Sequence, residues 1–298
     1  MTVGRERIRD RVVSARLEAT VIDPADLAVS IAVADGVPTS YESLTVTLDG
    51  VDVVARQIIT EHRGRIHLLD GLEPGRLHIE YTATVDGPAD EAVATDYDTC
   101  RYLRPSRYCQ SDELGPFARA EFAGLSGEEL LPAISSWVGA NLLYVPGSSR
   151  PTDGAVATLL AREGVCRDYA HLTTALARAN GIPARIVSVY APGLDPMDFH
   201  AVTEVLVSGR WFVVDPTCLA PRASMVRIAT GADATDTAFM STLRGQVELD
   251  EYLQMMSAIK SGHVAYSRFA RMAEMEEEHH EREVLKKMIT VDRSGGGL

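Results

Sequence analysis

The sequence predicts an α+β protein, with an antiparallel β-sandwich-like unit first and a helix-plus-sheet unit after it. Three observations carry this. From about Val12 to Val85 apolar and polar residues alternate in short runs between turn formers, as half-buried strands do. After Asp86-Gly87-Pro88-Ala89-Asp90-Glu91, which reads as a linker, the apolar spacing changes to a helical period,. A strong helix pattern over Val165 to Ala179 then feeds three strand patterns, the arrangement of an α+β domain.

In order along the chain, strands are expected at Val12 to Ile22, Leu27 to Ala34, Leu44 to Leu48 and Val51 to Thr60. Asp23-Pro24, Asp35-Gly36 and Asp49-Gly50 between them are turn chemistry. Gly64 to Leu69 and Arg76 to Val85, flanking Asp70-Gly71 and Glu73-Pro74-Gly75, read as a further strand pair. His67 and His78 on that pair are ordinary sheet-surface histidines, since two imidazoles without a third ligand make no metal site. Helices are expected at Phe117 to Phe122, Gly127 to Leu143 and Thr158 to Arg162. In the second of these, Leu131, Ile134, Val138 and Leu142 share one face. Tyr144-Val145-Pro146-Gly147-Ser148-Ser149-Arg150-Pro151 is a loop that borders the next helix. Asn180-Gly181 ends that helix, with Pro183 beyond it. Strands follow at Ala184 to Tyr190, Ala201 to Val207 and Trp211 to Asp215, with Ser208-Gly209 turning between the last two. From Leu249 onward the pattern is helical, and Ser294 to Gly297 should be flexible. The expected units are an N-terminal β-domain at 1–87, a second domain at 92–248 and a helical, partly flexible tail at 249–298.

A chain of 298 residues with 46% hydrophobic and 24% charged content can bury a sizeable core and is not disordered. Its net charge of -13 opposes a nucleic-acid partner and an anionic membrane surface. No run approaches the about 20 apolar residues of a membrane span, and Met1 to Arg16 lacks a signal-peptide core, so a cytoplasmic location is expected. The four cysteines, Cys100, Cys109, Cys166 and Cys218, are too few for a disulfide framework and are expected as free thiols.

Chemistry concentrates in three short segments. Cys166 opens the strong helix, where unpaired N-terminal amides and the helix dipole favour a thiolate and can stabilise an oxyanion formed on attack. His200 starts one strand and Asp215 ends the next, so a hairpin can bring them together. A thiol, an imidazole and a carboxylate so placed can act as nucleophile, general base and base-orienting group. The backbone amide of Cys166 is a candidate oxyanion donor. His171 lies five positions beyond Cys166 and is turned away from its helix face, so His171 and Asp168 are expected to be structural.

The runs Gly164-Val165-Cys166-Arg167-Asp168-Tyr169-Ala170-His171-Leu172, Gly181-Ile182-Pro183-Ala184-Arg185, Asp198-Phe199-His200-Ala201 and Gly209-Arg210-Trp211-Phe212-Val213-Val214-Asp215-Pro216-Thr217 resemble the core of the transglutaminase-like superfamily. More narrowly, the chain is similar to bacterial members that carry an N-terminal β-domain, and Arg104 to Cys109, Pro146 to Ser149 and Arg227 to Ala234 share in the likeness. The resemblance implies a papain-like scaffold, a catalytic triad of Cys166, His200 and Asp215, and a thioester intermediate. Simple bacterial members need no calcium, and no acidic run here has calcium-loop spacing, so no metal and no cofactor are expected. Tyr169, Asp198 and Trp211 are expected to line the cleft or its oxyanion side. The expected activity is a cysteine peptidase or amidase acting on a peptide or protein amide. A transamidase passing glutamine acyl groups to amines and a non-catalytic peptide-binding module are the alternatives, and the oligomeric state is left open.

Overall fold

The computed structural model describes residues 11–258 apart from Asp90 and Pro196, with side chains through Asp250. The α+β class holds. The first unit is a seven-stranded antiparallel sheet built from β1 (Arg11–Val29), β2 (Thr39–Leu48), β3 (Val51–Asp52), β4 (Arg56–Ile59), β5 (Arg65–Leu72) and β6 (Gly75–Val85), together with a last strand described below. Alternate residues of β1, Val13, Ala15, Leu17, Ala19 and Val21, are buried, as the period-2 pattern requires.

The order of strands departs from expectation in two places. β5 and β6 do not form a hairpin. β6 pairs with the first half of β1, from Arg11 opposite Val85 to Val21 opposite Gly75, and β5 pairs with the second half, from Ala25 opposite Leu72 to Val29 opposite His67. The two strands thus follow one another along a single edge of β1, and Glu73-Pro74 interrupts the line without reversing it. His67 and His78 face Val29 and Glu18, too far apart along β1 to share a metal ion. Asp23-Pro24 is likewise no turn. β1 continues through it with register shifts on either side of Asp23 and Asp26, because a proline that cannot donate to the ladder is accommodated at a bulge.

The second unit carries α1 (Asp96–Tyr102), α2 (Gly115–Glu121), a 3₁₀ turn at Gly127–Glu129 leading into α3 (Leu130–Asn141), β7 (Leu143–Tyr144), α4 (Ala155–Ala161), β8 (Glu163–Gly164) and α5 (Cys166–Ala179). Then come β9 (Ala184–Tyr190), β10 (His200–Val207), β11 (Arg210–Val214), a short 3₁₀ turn at Arg222–Ser224, β12 (Val226–Gly231) and α6 (Ala234–Thr237). β11, β10, β9 and β12 form an antiparallel sheet in that order, while β7 and β8 make a two-residue parallel pair. α5 is buried from Asp168 to Arg178, a central helix with no solvent face. Several of its polar groups find partners inside the protein: Thr203 Oγ1 donates to the Ala170 carbonyl at 3.0 Å, and Thr173 Oγ1 to the Tyr169 carbonyl at 2.7 Å,. Arg178 donates to the carbonyls of Ala184, Arg104 and Ala232 at 2.8, 3.0 and 2.7 Å. That one guanidinium joins the segments around Arg104 and Ala232 to the central helix.

β13 (Met240–Ala258) returns to the first sheet and pairs with β1 along its whole length, from Val29 opposite Met240 to Arg11 opposite Ala258. The helix expected from Leu249 does not begin there, because Leu249 to Ala258 continue this strand. Pairing with a distant partner overrides the local helical pattern. The rest of the expected tail, 259–298, lies outside the described residues. Gly245 sits opposite the β1 bulge with φ +82, and a Cβ there would lie 2.3 Å from the Pro24 carbonyl oxygen, so the bend is tolerated only with glycine. The first sheet is thus completed by residues that follow the second unit in sequence.

The two units share a core. Tyr190, Val226, Ile228 and Ala229 of the second sheet pack with Leu17, Leu27, Ile79 and Tyr81 of the first, and the Tyr190 hydroxyl donates to the Ile31 carbonyl at 2.7 Å. A buried ion network lies at the same junction. Arg185, 1% exposed, donates through Nε to Glu204 Oε2 at 2.8 Å, and Arg227 grips both oxygens of the same carboxylate. The Arg185 guanidinium lies 3.7 Å from the centroid of the Trp211 ring, and His62, from the β4–β5 connection of the first sheet, reaches Asp98 at 3.5 Å. Burial works to raise the Glu204 pKa, but the charges of Arg227 and Arg185 and their hydrogen bonds outweigh it and hold the carboxyl below its ordinary value of 4.5,. Its contribution to stability is therefore present above that value and is lost as pH falls through the acid range. Replacing Glu204 by Ala leaves two guanidinium groups without their shared carboxylate, and urea unfolding at neutral pH should show a loss of about 3–5 kcal/mol. A loss under about 1 kcal/mol, the range of an exposed pair, would contradict a structural role for the network.

Candidate active site

The site is built where α5 begins. Val165 is extended, with φ −114 and ψ −178, and Cys166 is the first helical residue. Asp168, 1% exposed, accepts the Val165 N–H at 2.8 Å and receives the Ser149 hydroxyl at 2.8 Å. Its carboxylate thus caps the helix and ties the 146–149 loop to it. Gly164 makes room for this, since a Cβ there would lie 2.6 Å from the Asp168 Cβ. Asp168 is structural, as expected. So is His171, which is wholly buried and accepts the Ala234 N–H at 3.1 Å while stacking on Tyr108 at 5.2 Å. Burial drives its pKa down to about 3, so the ring is neutral,.

β10 and β11 are joined by a tight turn in which Ser208 and Gly209 both have positive φ, the geometry of a two-residue hairpin. The register sets Thr203 opposite Val214, which leaves His200 at the start of β10 near Asp215 just past the end of β11. His200 Nε2 lies 2.8 Å from Asp215 Oδ2, and both side chains are essentially inaccessible, at 0% and 1%. The other carboxylate oxygen accepts the Thr217 hydroxyl at 2.7 Å and the Thr217 N–H at 3.0 Å. Thr217 therefore fixes the carboxylate that fixes the ring, a role the Asp215-Pro216-Thr217 motif carries without announcing it.

Cys166 is half-buried, and its thiol lies 3.8 Å from the Phe199 carbonyl oxygen. The Cys166 side chain also lies close enough to His200 to act on its ionisation. Nε2 of that ring belongs to Asp215, and the buried Nδ1 has no hydrogen-bond partner among the described residues, which leaves that nitrogen open to the sulfur. Burial by itself would lower the His200 pKa, but the hydrogen bond to Asp215, then the nearby Cys166 side chain and the charges of both, raise it to about 10. Burial likewise works to raise the Asp215 pKa, but the His200 hydrogen bond and charge, followed by the Thr217 donors, hold it below 3.8. The pair is an imidazolium and a carboxylate at neutral pH. Of the three expected residues, His200 and Asp215 are hydrogen-bonded, and Cys166 lies near the ring.

The three expected cleft residues fare differently. Asp198 lies beside the site: it is half-buried, accepts the Phe199 N–H at 2.6 Å and contributes its charge to the surroundings of Tyr144. Tyr169 backs the site rather than lining it, being 4% exposed with its hydroxyl bound to the Leu142 carbonyl at 2.9 Å. Trp211 is elsewhere. It pairs with Leu206 near the far end of β10, roughly 20 Å along the strand from His200, and is occupied in stacking on Arg185. Sequence reasoning assigned no role to Tyr144, which lies near Cys166 and Asp198, so that burial and then their charges raise its ionisation. A two-residue parallel strand has no periodicity to reveal it. Among the described residues no group of three or more His, Cys, Asp or Glu is placed to hold a metal ion, and no helix is long and apolar enough to cross a membrane.

Residues 123–216 match the family model described as the transglutaminase-like superfamily. A crystal structure of a candidate cysteine protease from Cytophaga hutchinsonii is similar to this chain with a TM-score of 0.78 at 31% identity, over 85% of this chain and 91% of that one. An uncharacterised protein of Mycobacterium tuberculosis is 38% identical over 158 residues, 48% of this chain and 44% of that protein. One from Mycobacterium leprae is 30% identical over 135 residues, 41% and 48% respectively. The chain spans about half the length of these curated relatives.

The raised His200 pKa has a definite sign. The folded state holds the proton more tightly than the ordinary imidazole with its value of 6.5, so this stabilisation is full below 6.5 and disappears as pH rises through about 10,. Ring resonances of His200 followed by NMR should titrate near pH 10, and Asp215→Asn should bring the midpoint down. A wild-type midpoint at the ordinary value would contradict the geometry.

Proposed function

The chain belongs to the transglutaminase-like superfamily, and from that premise we propose that it is a thiol-dependent acyl-transfer enzyme that hydrolyses amide or isopeptide bonds of peptides or proteins through Cys166, His200 and Asp215. The observation that carries this reading is the shared imidazole. One nitrogen of His200 is held by a buried carboxylate at 2.8 Å, the other is buried without a hydrogen-bond partner among the described residues, and a thiol at the first position of a buried helix lies near enough to act on the ring. The Cytophaga hutchinsonii relative, described as a candidate cysteine protease, supports hydrolysis over transfer to an amine.

In the proposed reaction the Cys166 proton resides on His200, and the thiolate attacks the amide carbonyl. The carbonyl π pair moves onto oxygen, where the Cys166 backbone N–H at the helix N-terminus can stabilise it. When the tetrahedral intermediate collapses, the C–N bond breaks and His200 gives its proton to the departing nitrogen, leaving a thioester on Cys166. Water then attacks the thioester as His200 removes its proton. The C–S bond breaks, the carboxylic acid leaves and the thiolate–imidazolium pair is restored. Asp215 keeps its charge throughout; its task is to hold the ring with Nδ1 toward sulfur and to stabilise the imidazolium. Thr217 donates twice to Asp215 and so keeps that carboxylate from rotating away.

Iodoacetamide labelling with peptide mapping at neutral pH should modify Cys166 well ahead of the exposed thiols Cys100 and Cys218, because Cys166 lies beside the His200 imidazolium,. A Cys166 no faster than Cys100 would sink the enzymatic reading. With glutamine peptides and a labelled primary amine, ammonia release without amine incorporation is expected, and His200→Ala or Cys166→Ala should lower turnover by several orders of magnitude. Predominant amine incorporation would replace hydrolysis by transamidation.

A further inference from the structure

His200 is the first residue of β10, and a strand end is where a ladder frays. On one side it faces Val189 of β9, but on the other side β11 reaches only as far as Thr203, opposite Val214. Asp215 fixes the imidazole ring, whereas the backbone that carries the ring depends on the residue before it, Phe199. That residue also touches the nucleophile: its carbonyl oxygen lies 3.8 Å from the Cys166 sulfur. A shift of Phe199 therefore alters the placement of the base against the thiol.

Phe199 is held from the first unit. Its ring packs against the core of the seven-stranded sheet. Phe239, the residue before β13, stacks on it at 4.8 Å between centroids with the planes 6° apart, and Tyr190 meets it at 6.2 Å, separations at which offset rings attract. Both of these neighbours are tied to the exit of β1. The Phe239 carbonyl accepts the Ser30 N–H at 2.8 Å, and the Tyr190 hydroxyl donates to the Ile31 carbonyl at 2.7 Å. Ser30 and Ile31 follow directly on Val29, the last residue of β1, which lies opposite Met240 at the start of β13. The pairing of β1 with β13 is thus carried through two aromatic rings to the peptide that joins Phe199 to His200.

We propose, on the footing of the acyl-transfer reading above, that Phe239 is a positioning residue: by stacking on Phe199 it sets the placement of His200 against the Cys166 thiol, so that the first sheet is a working part of the active site. Phe239 reaches no reacting atom and acts only through Phe199. Its contribution is to keep the imidazolium where it stabilises the thiolate, an attraction that falls with separation. The same contact makes completion of the site depend on β13, because Phe239 is placed by the strand that returns to β1 after the second unit.

The test follows iodoacetamide alkylation of Cys166 against pH in the full chain, read by peptide mapping with the exposed Cys100 as internal reference. Phe239→Leu keeps the apolar contact and loses the ring stack, with circular dichroism checking that the variant is folded. A displaced imidazolium stabilises the thiolate less, so the Cys166 profile should move to higher pH by about one unit, roughly tenfold slower on its acid limb, with the plateau at high pH unchanged. Phe199→Leu breaks the same stack from the other side and should give the same shift, and the double variant should be no worse than either single one. A lowered plateau with an unmoved midpoint would make Phe239 ordinary packing, an unmoved profile would make it idle, and additive shifts in the double variant would mean that the two rings act separately; each overturns the proposal. Failure of the underlying reading looks different, because there the wild-type Cys166 profile would itself match that of Cys100.

Discussion

A helix with no solvent face can begin only where its first amides find partners inside the protein, and in this molecule that condition is met by the Asp168 carboxylate. It accepts the Val165 N–H, is braced by Ser149, and fits because Gly164 has no side chain in its way. Much follows from that cap. It fixes Cys166 as the first helical residue, aims the helix dipole at the sulfur, and binds the loop after Tyr144 to the same point. The remainder of α5 is then enclosed on all sides, with Leu172, Ala175 and Leu176 fully buried. In the proposed reaction, a nucleophile anchored on so rigid an element needs little reorganisation before it reacts.

Around that fixed sulfur the electrostatics is organised in a chain. Thr217 holds Asp215, Asp215 holds His200, and His200 holds its proton against the cost of burial. Each link is worth more in an environment from which water is excluded, and the sulfur at the end of the chain is half-exposed. The same logic operates at the opposite end of β10, where Glu204 neutralises two arginines and Trp211 covers one of them. One short hairpin thus carries a reactive ion pair at one end and an inert one at the other. Geometry separates their tasks: the first meets a thiol near the surface, whereas the second is enclosed between the two sheets.

The places of Cys166, His200 and Asp215 were legible because each sits in a local motif whose position on a helix start, strand start or strand end follows from its neighbours. The central helix, β9, β10 and β11 were legible for the same reason. What was not legible depended on partners far away in the chain. Glu73-Pro74 carries turn chemistry, yet whether a strand reverses or merely pauses there is decided by the long β1 beside it. Leu249 to Ala258 read as helix by local pattern and became strand by pairing with β1. Trp211 adjoined the right motif but was claimed by Arg185, and Tyr144 was hidden in a strand too short to have a period.

The closing of the first sheet by β13 has a consequence for how the chain matures. As the polypeptide leaves the ribosome, β1 emerges well before the strand that covers one of its edges, with Ala258 opposite Arg11, which comes only after the whole second unit. Until then that edge presents unpaired amides and carbonyls to other nascent chains. The topology therefore makes late, long-range zippering the slow step of biogenesis. Chains interrupted before Met240 would be the species most exposed to edge-to-edge association.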